Sequence, residues 1–264
     1  MPLALQTYSS AADASAALAG DGACYLGGGT LAVRAVNEGD VSITGYVRTT
    51  DPVLRGIEIE DGRATIGASV TMAAIAGHDG LGGIGHAARA VGGPAIRNMA
   101  TVGGNLFAPA PYGDFAAALL ALDATVHGIG GDRSIGEFLA GREANSGLVT
   151  AVSFAVPDDG AFRFLKVSRI RPKGVSVLTI AACLDTDADG TVTRARIALG
   201  CMADRPIRAA TAEKALEGRT LTADGIAPAV AAIGEGTDPI TDPVASGWYR
   251  AEVLPVHFRR LMLG

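Results

Sequence analysis

The feature that most restricts what this chain can become is residues 100–124, ATVGGNLFAPAPYGDFAAALLALDA. It sets a glycine pair, an amide, a carboxylate and an apolar run side by side. Gly103 and Gly104 have no Cβ, so their backbone can reach positive φ and come close to a ligand. Successive main-chain N–H groups in such a turn form a concave site for anionic oxygens. Thr101 adds a hydroxyl and Asn105 an amide, neither of them charged. Asp114 would be repelled by a pyrophosphate, so its expected place is on ribose hydroxyls, as in other dinucleotide sites. It also stands where an N-cap belongs, just before the apolar helix expected over residues 115–122.

A second glycine run lies at residues 26–33, LGGGTLAV, after a short apolar run at 23–26 that reads as a buried strand. Strand, glycine turn and helix in succession present N–H groups to phosphate. The run is neither a Walker loop nor a Gly-x-Gly-x-x-Gly fingerprint. Glycine pairs alone decide little here. With 36 Gly in 264 residues, about five adjacent pairs arise by chance, and the chain has six. On pattern alone, a phosphate loop and an ordinary tight turn both remain open.

A resemblance separates them. TVGGNLFAPAPYGDFAAALLALDA resembles the second flavin-binding loop of the molybdenum hydroxylase flavoproteins. These include the FAD subunits of carbon monoxide dehydrogenases and the FAD domains of xanthine dehydrogenases and aldehyde oxidases. The family pattern is Thr/Ser-x-Gly-Gly-Asn, a small-residue and proline stretch, Asp, then a Leu-rich helix, and every part is present in order. LGGGTLAV is similar to the family's first loop. The likeness covers essentially the whole chain. It implies FAD as cofactor, held by Leu26, Gly27, Gly28, Gly29, Thr30 and Leu31 from one loop. Thr101, Val102, Gly103, Gly104, Asn105 and Asp114 would hold it from the other. Val91, Leu148 and Lys166 match further family contact positions, Lys166 within a Lys-x-x-Arg segment completed by Arg169.

The same resemblance implies an α+β fold. A two-lobed FAD-binding domain is expected over residues 1–160, with a small α/β lobe at about 1–52 and a larger antiparallel-sheet lobe at 53–160. A C-terminal domain over 161–264 would carry a three-stranded antiparallel sheet and helices. The implied function is that of an FAD-binding electron-transfer (medium) subunit. It would collect electrons from iron–sulphur clusters and pass them to NAD, a quinone or another acceptor. The partners would be an iron–sulphur small subunit and a molybdopterin large subunit, in a dimer of heterotrimers. A self-sufficient flavin oxidase of a small alcohol and a non-enzymatic assembly module are the competing readings.

Several absences agree. Cys24, Cys183 and Cys201 are scattered, whereas iron–sulphur clusters take four thiolates, commonly at tight spacings. His78, His86, His127 and His257 show no metal-ligand spacing, and no nucleophile–base pair is evident. Such a chain leaves the hard chemistry to a cofactor. The net charge is −5 with no basic stripe, which argues against nucleic acid. No signal-peptide pattern and no membrane span are seen, so a cytoplasmic protein is expected.

Along the chain, a helix is expected at 11–18, capped by Ser9 or Ser10, and a strand at 41–44. Ile57 and Ile59 alternate toward an Asp61-Gly62 hairpin turn, answered by Ala64 and Ile66. Residues 71–76 start a helix, 80–85 read as a loop, and 84–91 as a helix ended by Gly92-Gly93-Pro94. Arg97 reads equally as a phosphate partner or an exposed structural arginine. Strands are expected near 123–126, 148–156, 175–184 and 192–199, and helices at 209–216, 223–233 and 246–262. Pro255 should kink or end the last of these. Arg171-Pro172-Lys173-Gly174 departs from the family's acidic continuation. Trp248 and Tyr249 read as packing or interface residues.

Overall fold

In the computed structural model, which describes residues 3–142, 147–170 and 174–264, the chain lays down three sheets in sequence order. The first lobe runs β1 (Ala4–Tyr8), α1 (Ala11–Ala17), β2 (Ala23–Tyr25), α2 (Ala32–Asn37) and β3 (Gly45–Thr49). Its strands are parallel, with β3 between the other two. Ser10 caps α1 by accepting from Asp13 N–H. The strand expected at 41–44 begins instead at Gly45. Val41 is exposed, whereas Tyr46 and Val47 are buried, so the central strand is placed by the apolar pair rather than by the Val-Ser-Ile-Thr run.

The second lobe holds β4 (Ile57–Glu60), β5 (Arg63–Gly67), α3 (Met72–Ala76), α4 (Gly82–Arg89), α5 (Pro94–Arg97), α6 (Val102–Leu106) and α7 (Asp114–Ala121). It continues with β6 (Thr125–Gly128), β7 (Arg133–Ser134), α8 (Ile135–Ala140) and β8 (Val149–Ala155). The antiparallel sheet is ordered β4-β5-β8-β6-β7. Asp61 and Gly62 both take positive φ in the β4–β5 turn, the backbone a two-residue hairpin demands. The loop expected at 80–85 is overturned from Gly82 onward, where α4 begins. Ile84, Ala87 and Ala88 bury a face there, and that packing outweighs the poor helix propensity of glycine.

The C-terminal part holds β9 (Phe162–Ser168), β10 (Ser176–Thr186), β11 (Val192–Gly200), β12 (Ile207–Arg208), α9 (Ala210–Leu216), α10 (Ala227–Ala232) and α11 (Gly247–Leu263). The antiparallel β9–β10–β11 meander gains β12 as a short fourth strand. Pro228 sits in the first turn of α10, where its missing N–H costs nothing. Helix α11 passes through Pro255 unbroken. Arg250, Leu254, Phe258 and Met262 form one buried stripe at four-residue spacing, which keeps both halves on the same support.

Two cores meet across β10. Ala181 and Cys183 face the core of the second lobe. Ile180, Ala182 and Leu184 face the core built with α9, α10 and α11. That alternation is what a strand covered on both sides requires. Helix α7, buried along its whole length, packs on β10 and β11 as well as on α4 and α6. A helix apolar all round has nowhere else to go. It therefore ties the two halves of the molecule together, with its N-terminal end at the cleft described below. Among the described residues no helix is long and apolar enough to cross a membrane.

Candidate functional site

A cleft of about 680 Å³ opens between the first lobe, the loops around residue 100 and the start of the C-terminal sheet. This is a normal size for a small-molecule site. Gly27, Gly28, Gly29, Thr30 and Leu31 line it from one side, and Thr101, Gly103, Gly104, Asn105 and Asp114 from the other. Val91, Leu148 and Lys166 complete the wall. Leu26 and Val102 do not line it. Val102 is fully buried in the core, and Leu26 serves the sheet, its N–H donating to Val47 O at 2.7 Å.

The glycine run at 27–29 packs against the chain at Met99–Thr101, just before the second loop's glycine pair. A Cβ on Gly28 would stand 1.8 Å from the carbonyl oxygen of Met99, and one on Gly27 would stand 2.9 Å from Thr101 Oγ1. Gly29 has φ +70°. Glycine is needed here for close approach at 27 and 28, and for backbone conformation at 29. Gly103 and Gly104 correct the expectation of positive φ. Both lie inside α6 and neither is among the positive-φ residues. Gly103 is small because Ala68 is close: a Cβ would lie 3.2 Å from both its Cβ and its carbonyl oxygen. Thr101 is the N-cap of α6, its Oγ1 accepting from Gly104 N–H at 3.1 Å. Asn105 Oδ1 accepts from Ala116 N–H at 3.1 Å, so only the NH2 end of that amide remains to donate to a ligand.

Asp114 is the first residue of α7 rather than its cap. Gly113, with φ +84°, holds the cap position, because the chain turns sharply into the helix there. The Asp114 side chain points at the C-terminal sheet. Its Oδ1 accepts from Ser176 Oγ, and from Thr179 Oγ1 at 2.6 Å. Its Oδ2 lies 2.8 Å from Lys166 Nζ, at 7% and 10% side-chain exposure. Lys166 also donates to Ala90 O at 2.9 Å. Sequence reasoning placed both residues at the site but missed their pairing, since they stand 52 positions apart. Ser176, Tyr25, Arg34, Phe107 and Tyr112 also line the cleft and were not foreseen. The sequence cue was that Phe107 and Tyr112 lie inside the second loop.

Behind Ser176 stands Arg250, fully buried in α11. Its Nη1 donates to Ser176 O at 3.3 Å and to Val177 O. Its Nη2 lies 2.7 Å from Asp242 Oδ2. Burial pushes the Asp242 carboxyl up, but the N–H groups of Ala245 and Val244 and the Arg250 guanidinium outweigh it and hold it below its usual range. Cys201, against Ser176 O and Pro111 O at 3.7 Å, is pushed up to about 12, chiefly by burial and next by Asp114. Cys24 lines the cleft. Burial, helped by Asp40, raises its thiol, which keeps it protonated at neutral pH.

Arg97 does not line the cleft. Its Nη1 donates to the carbonyls of Arg89 and Gly92 at 3.0 and 2.7 Å, closing the turn after α4. Residues 171–173 of the Arg171-Pro172-Lys173-Gly174 segment lie outside the described residues. Trp248 and Tyr249 are exposed and stand apart from the cleft lining. A nucleophile–base pair does exist in space. Ser153 Oγ is 2.9 Å from His127 Nε2, and His127 Nδ1 is 2.9 Å from Asp132 Oδ1. Ser153 is buried, with Arg63 Nη2 donating to the same oxygen at 2.8 Å. The trio therefore closes a sheet face instead of meeting a substrate. No group of three or more His, Cys, Asp or Glu able to hold a metal occurs among the described residues.

Comparison with known proteins gives the cleft a context. Residues 3–154 match the family described as FAD binding domain in molybdopterin dehydrogenase. Residues 163–264 match the CO dehydrogenase flavoprotein C-terminal domain. The chain is 30% identical over 179 residues to the glyceraldehyde dehydrogenase medium chain of Sulfolobus acidocaldarius, covering 65% of this chain and 63% of that one. It is 28% identical over 226 residues to the nicotinate dehydrogenase FAD-subunit of Eubacterium barkeri, covering 80% and 76%. Its fold matches a chain of carbon monoxide dehydrogenase from Hydrogenophaga pseudoflava at a TM-score of 0.90 and 22% identity, over 99% of this chain and 96% of that one.

Proposed function

This chain belongs to the FAD-binding flavoprotein subunits of the molybdenum hydroxylases, and we propose that its cleft holds FAD for electron transfer within a multi-subunit oxidoreductase. The observation that carries the reading is the close packing of the glycine run at 27–29 on the start of the second loop at the cleft wall, where a single added Cβ on Gly28 would strike Met99 O. Backbone this close leaves the main-chain N–H groups of Gly27, Gly28 and Gly29 to meet a diphosphate, since those of Gly103 and Gly104 already donate to Ala68 O and Thr101 Oγ1. Thr101 and the NH2 end of Asn105 add uncharged donors beside them.

Bound FAD supplies the redox chemistry, taking up electrons singly or in pairs. The chain's own residues bind and orient it. Asp114 and Lys166 form a nearly neutral buried wall, and with Oδ1 taken by Ser176 and Thr179 the Asp114 carboxylate keeps one acceptor site, on Oδ2, for a ribose hydroxyl. The partners of this reading are an iron–sulphur small subunit and a molybdopterin large subunit, in a dimer of heterotrimers. The division at residues 1–160 and 161–264 and a cytoplasmic location belong to the same proposal. A self-sufficient oxidase would need a free acid or base in the cleft, and the buried pair Asp114–Lys166 is already engaged with itself.

Purification of the chain with its native partners tests the proposal. Flavin absorption bands are expected, with co-purifying chains that contain iron–sulphur clusters and molybdopterin. A native complex without flavin bands overturns it.

A further inference from the structure

Among the described residues, two cationic side chains line the cleft, Arg34 and Lys166. Lys166 is neutralised by Asp114 at 2.8 Å. Arg34 is placed differently. It stands on α2, a helix with no buried residue. Its Nε meets Glu38 Oε1 at 2.7 Å, with the two side chains 54% and 61% exposed. Its Nη1 donates to Tyr112 Oη at 2.8 Å. Tyr112 belongs to the opposite wall, in the turn that leads into α7. The Arg34–Tyr112 bond therefore crosses from the wall of residues 27–31 to the wall of residues 101–114.

A diphosphate brings two negative charges into this cleft, and backbone N–H groups cannot neutralise them. The guanidinium fork suits phosphate oxygens. An exposed, i,i+4 carboxylate is a weak competitor for it. We propose that Arg34 is a diphosphate-binding residue of the dinucleotide site, exchanging Glu38 for phosphate oxygens while Tyr112 keeps the guanidinium tethered over the cleft. The inference rests on the reading of the cleft as an FAD site and adds a residue that neither glycine run contains.

The test titrates the full chain with FAD, with ADP, which keeps the diphosphate, and with riboflavin, which lacks it. Arg34→Ala is expected to weaken FAD and ADP binding at least tenfold, the usual scale for a lost charge-assisted hydrogen bond, and to flatten its salt dependence. Riboflavin binding should stay unchanged. Tyr112→Phe should lose less, in the same direction. Glu38→Gln should tighten FAD and ADP, because it frees the guanidinium. Since α2 buries no residue and Tyr112→Phe removes only a hydroxyl, these variants keep the fold, which circular dichroism verifies. The assignment is overturned if Arg34→Ala matches the wild type for FAD and ADP, or if riboflavin binding falls in the same proportion. A wild-type chain that takes up no FAD is a separate result and overturns the cofactor reading itself.

Discussion

Asp114 Oδ2 lies 2.8 Å from Lys166 Nζ, and this pair joins the first residue of α7 to strand β9. Both side chains are nearly buried, so neither charge is well solvated alone. Breaking a buried pair from one side typically costs about 3–5 kcal/mol. Asp114→Ala is expected to lower unfolding stability by about that much, and Lys166→Met by a similar amount. The double variant should cost less than the sum of the two, as groups in one network do. Urea denaturation at neutral pH measures all three. Additive losses, or an Asp114→Ala chain within about 1 kcal/mol of the wild type, contradict the pairing.

Gly28 and Gly104 should separate fold from binding. A Cβ at 28 would lie 1.8 Å from a backbone oxygen, which cannot give way as a side-chain tip can. Gly28→Ala is therefore expected to force the first loop away from the Met99–Ala100 backbone, costing about 1–3 kcal/mol or more and abolishing flavin uptake. A Cβ at 104 would meet only Thr101 Oγ1, at 3.1 Å. Gly104→Val should fold but retain little flavin, because its side chain projects into the cleft. Thermal melts paired with flavin content check both. Full flavin content in Gly104→Val removes that wall from the site.

How much of this was legible in the sequence depended on range. Local chemistry was readable: Ser10 and Thr71 cap helices, and Asp61-Gly62 turns a hairpin. The strands expected near 175–184 and 192–199 pair with each other. The two glycine runs do converge, and most of the residues expected at the site line one cleft. Long-range partnerships were not readable. Asp114 looked like a cap because a carboxylate before an apolar run usually is one. Ser176 and Thr179, 62 and 65 residues away, draw it elsewhere. Positive φ at Gly103 and Gly104 was inferred from residue type, whereas both are helical, and it is Ala68 that demands a small residue at 103. Arg34 and Tyr112, 78 positions apart, carry no shared local pattern.

Stability should fall in acid through Asp242. Its folded carboxyl is held below the ordinary value near 3.8, so the unfolded chain binds the proton more readily. The contribution is therefore fully present above that unfolded value and is lost as pH falls through the depressed folded one. Asp242→Asn is expected to destabilise the chain at pH 7, since Arg250 is fully buried and would lose its counter-charge. The difference between wild type and variant should narrow in strong acid. Denaturation midpoints for both chains across pH 2–7 check this, and a constant difference across that range contradicts it.

Cys24 reports on the cleft. It is partly exposed and lines the wall, whereas Cys183 and Cys201 are buried. Mild alkylation of the native chain at weakly alkaline pH should modify Cys24 first. Cys201, pushed up to about 12, should resist until the chain unfolds, because the thiolate is the reacting species. Added FAD should slow labelling at Cys24 and leave the other two unaffected. Mass spectrometry of the peptides reads each site. Equal labelling of Cys24 with and without FAD would place the dinucleotide elsewhere.

The central claim is that the two glycine runs lining one cleft form the wall of an FAD site. Titration of the flavin-free full chain with FAD, followed by flavin fluorescence, tests it most directly. The expected result is saturable uptake of one FAD per chain, abolished by Gly28→Ala and displaced by ADP. Absence of saturable uptake by the folded wild-type chain, or uptake that Gly28→Ala leaves intact, would contradict it.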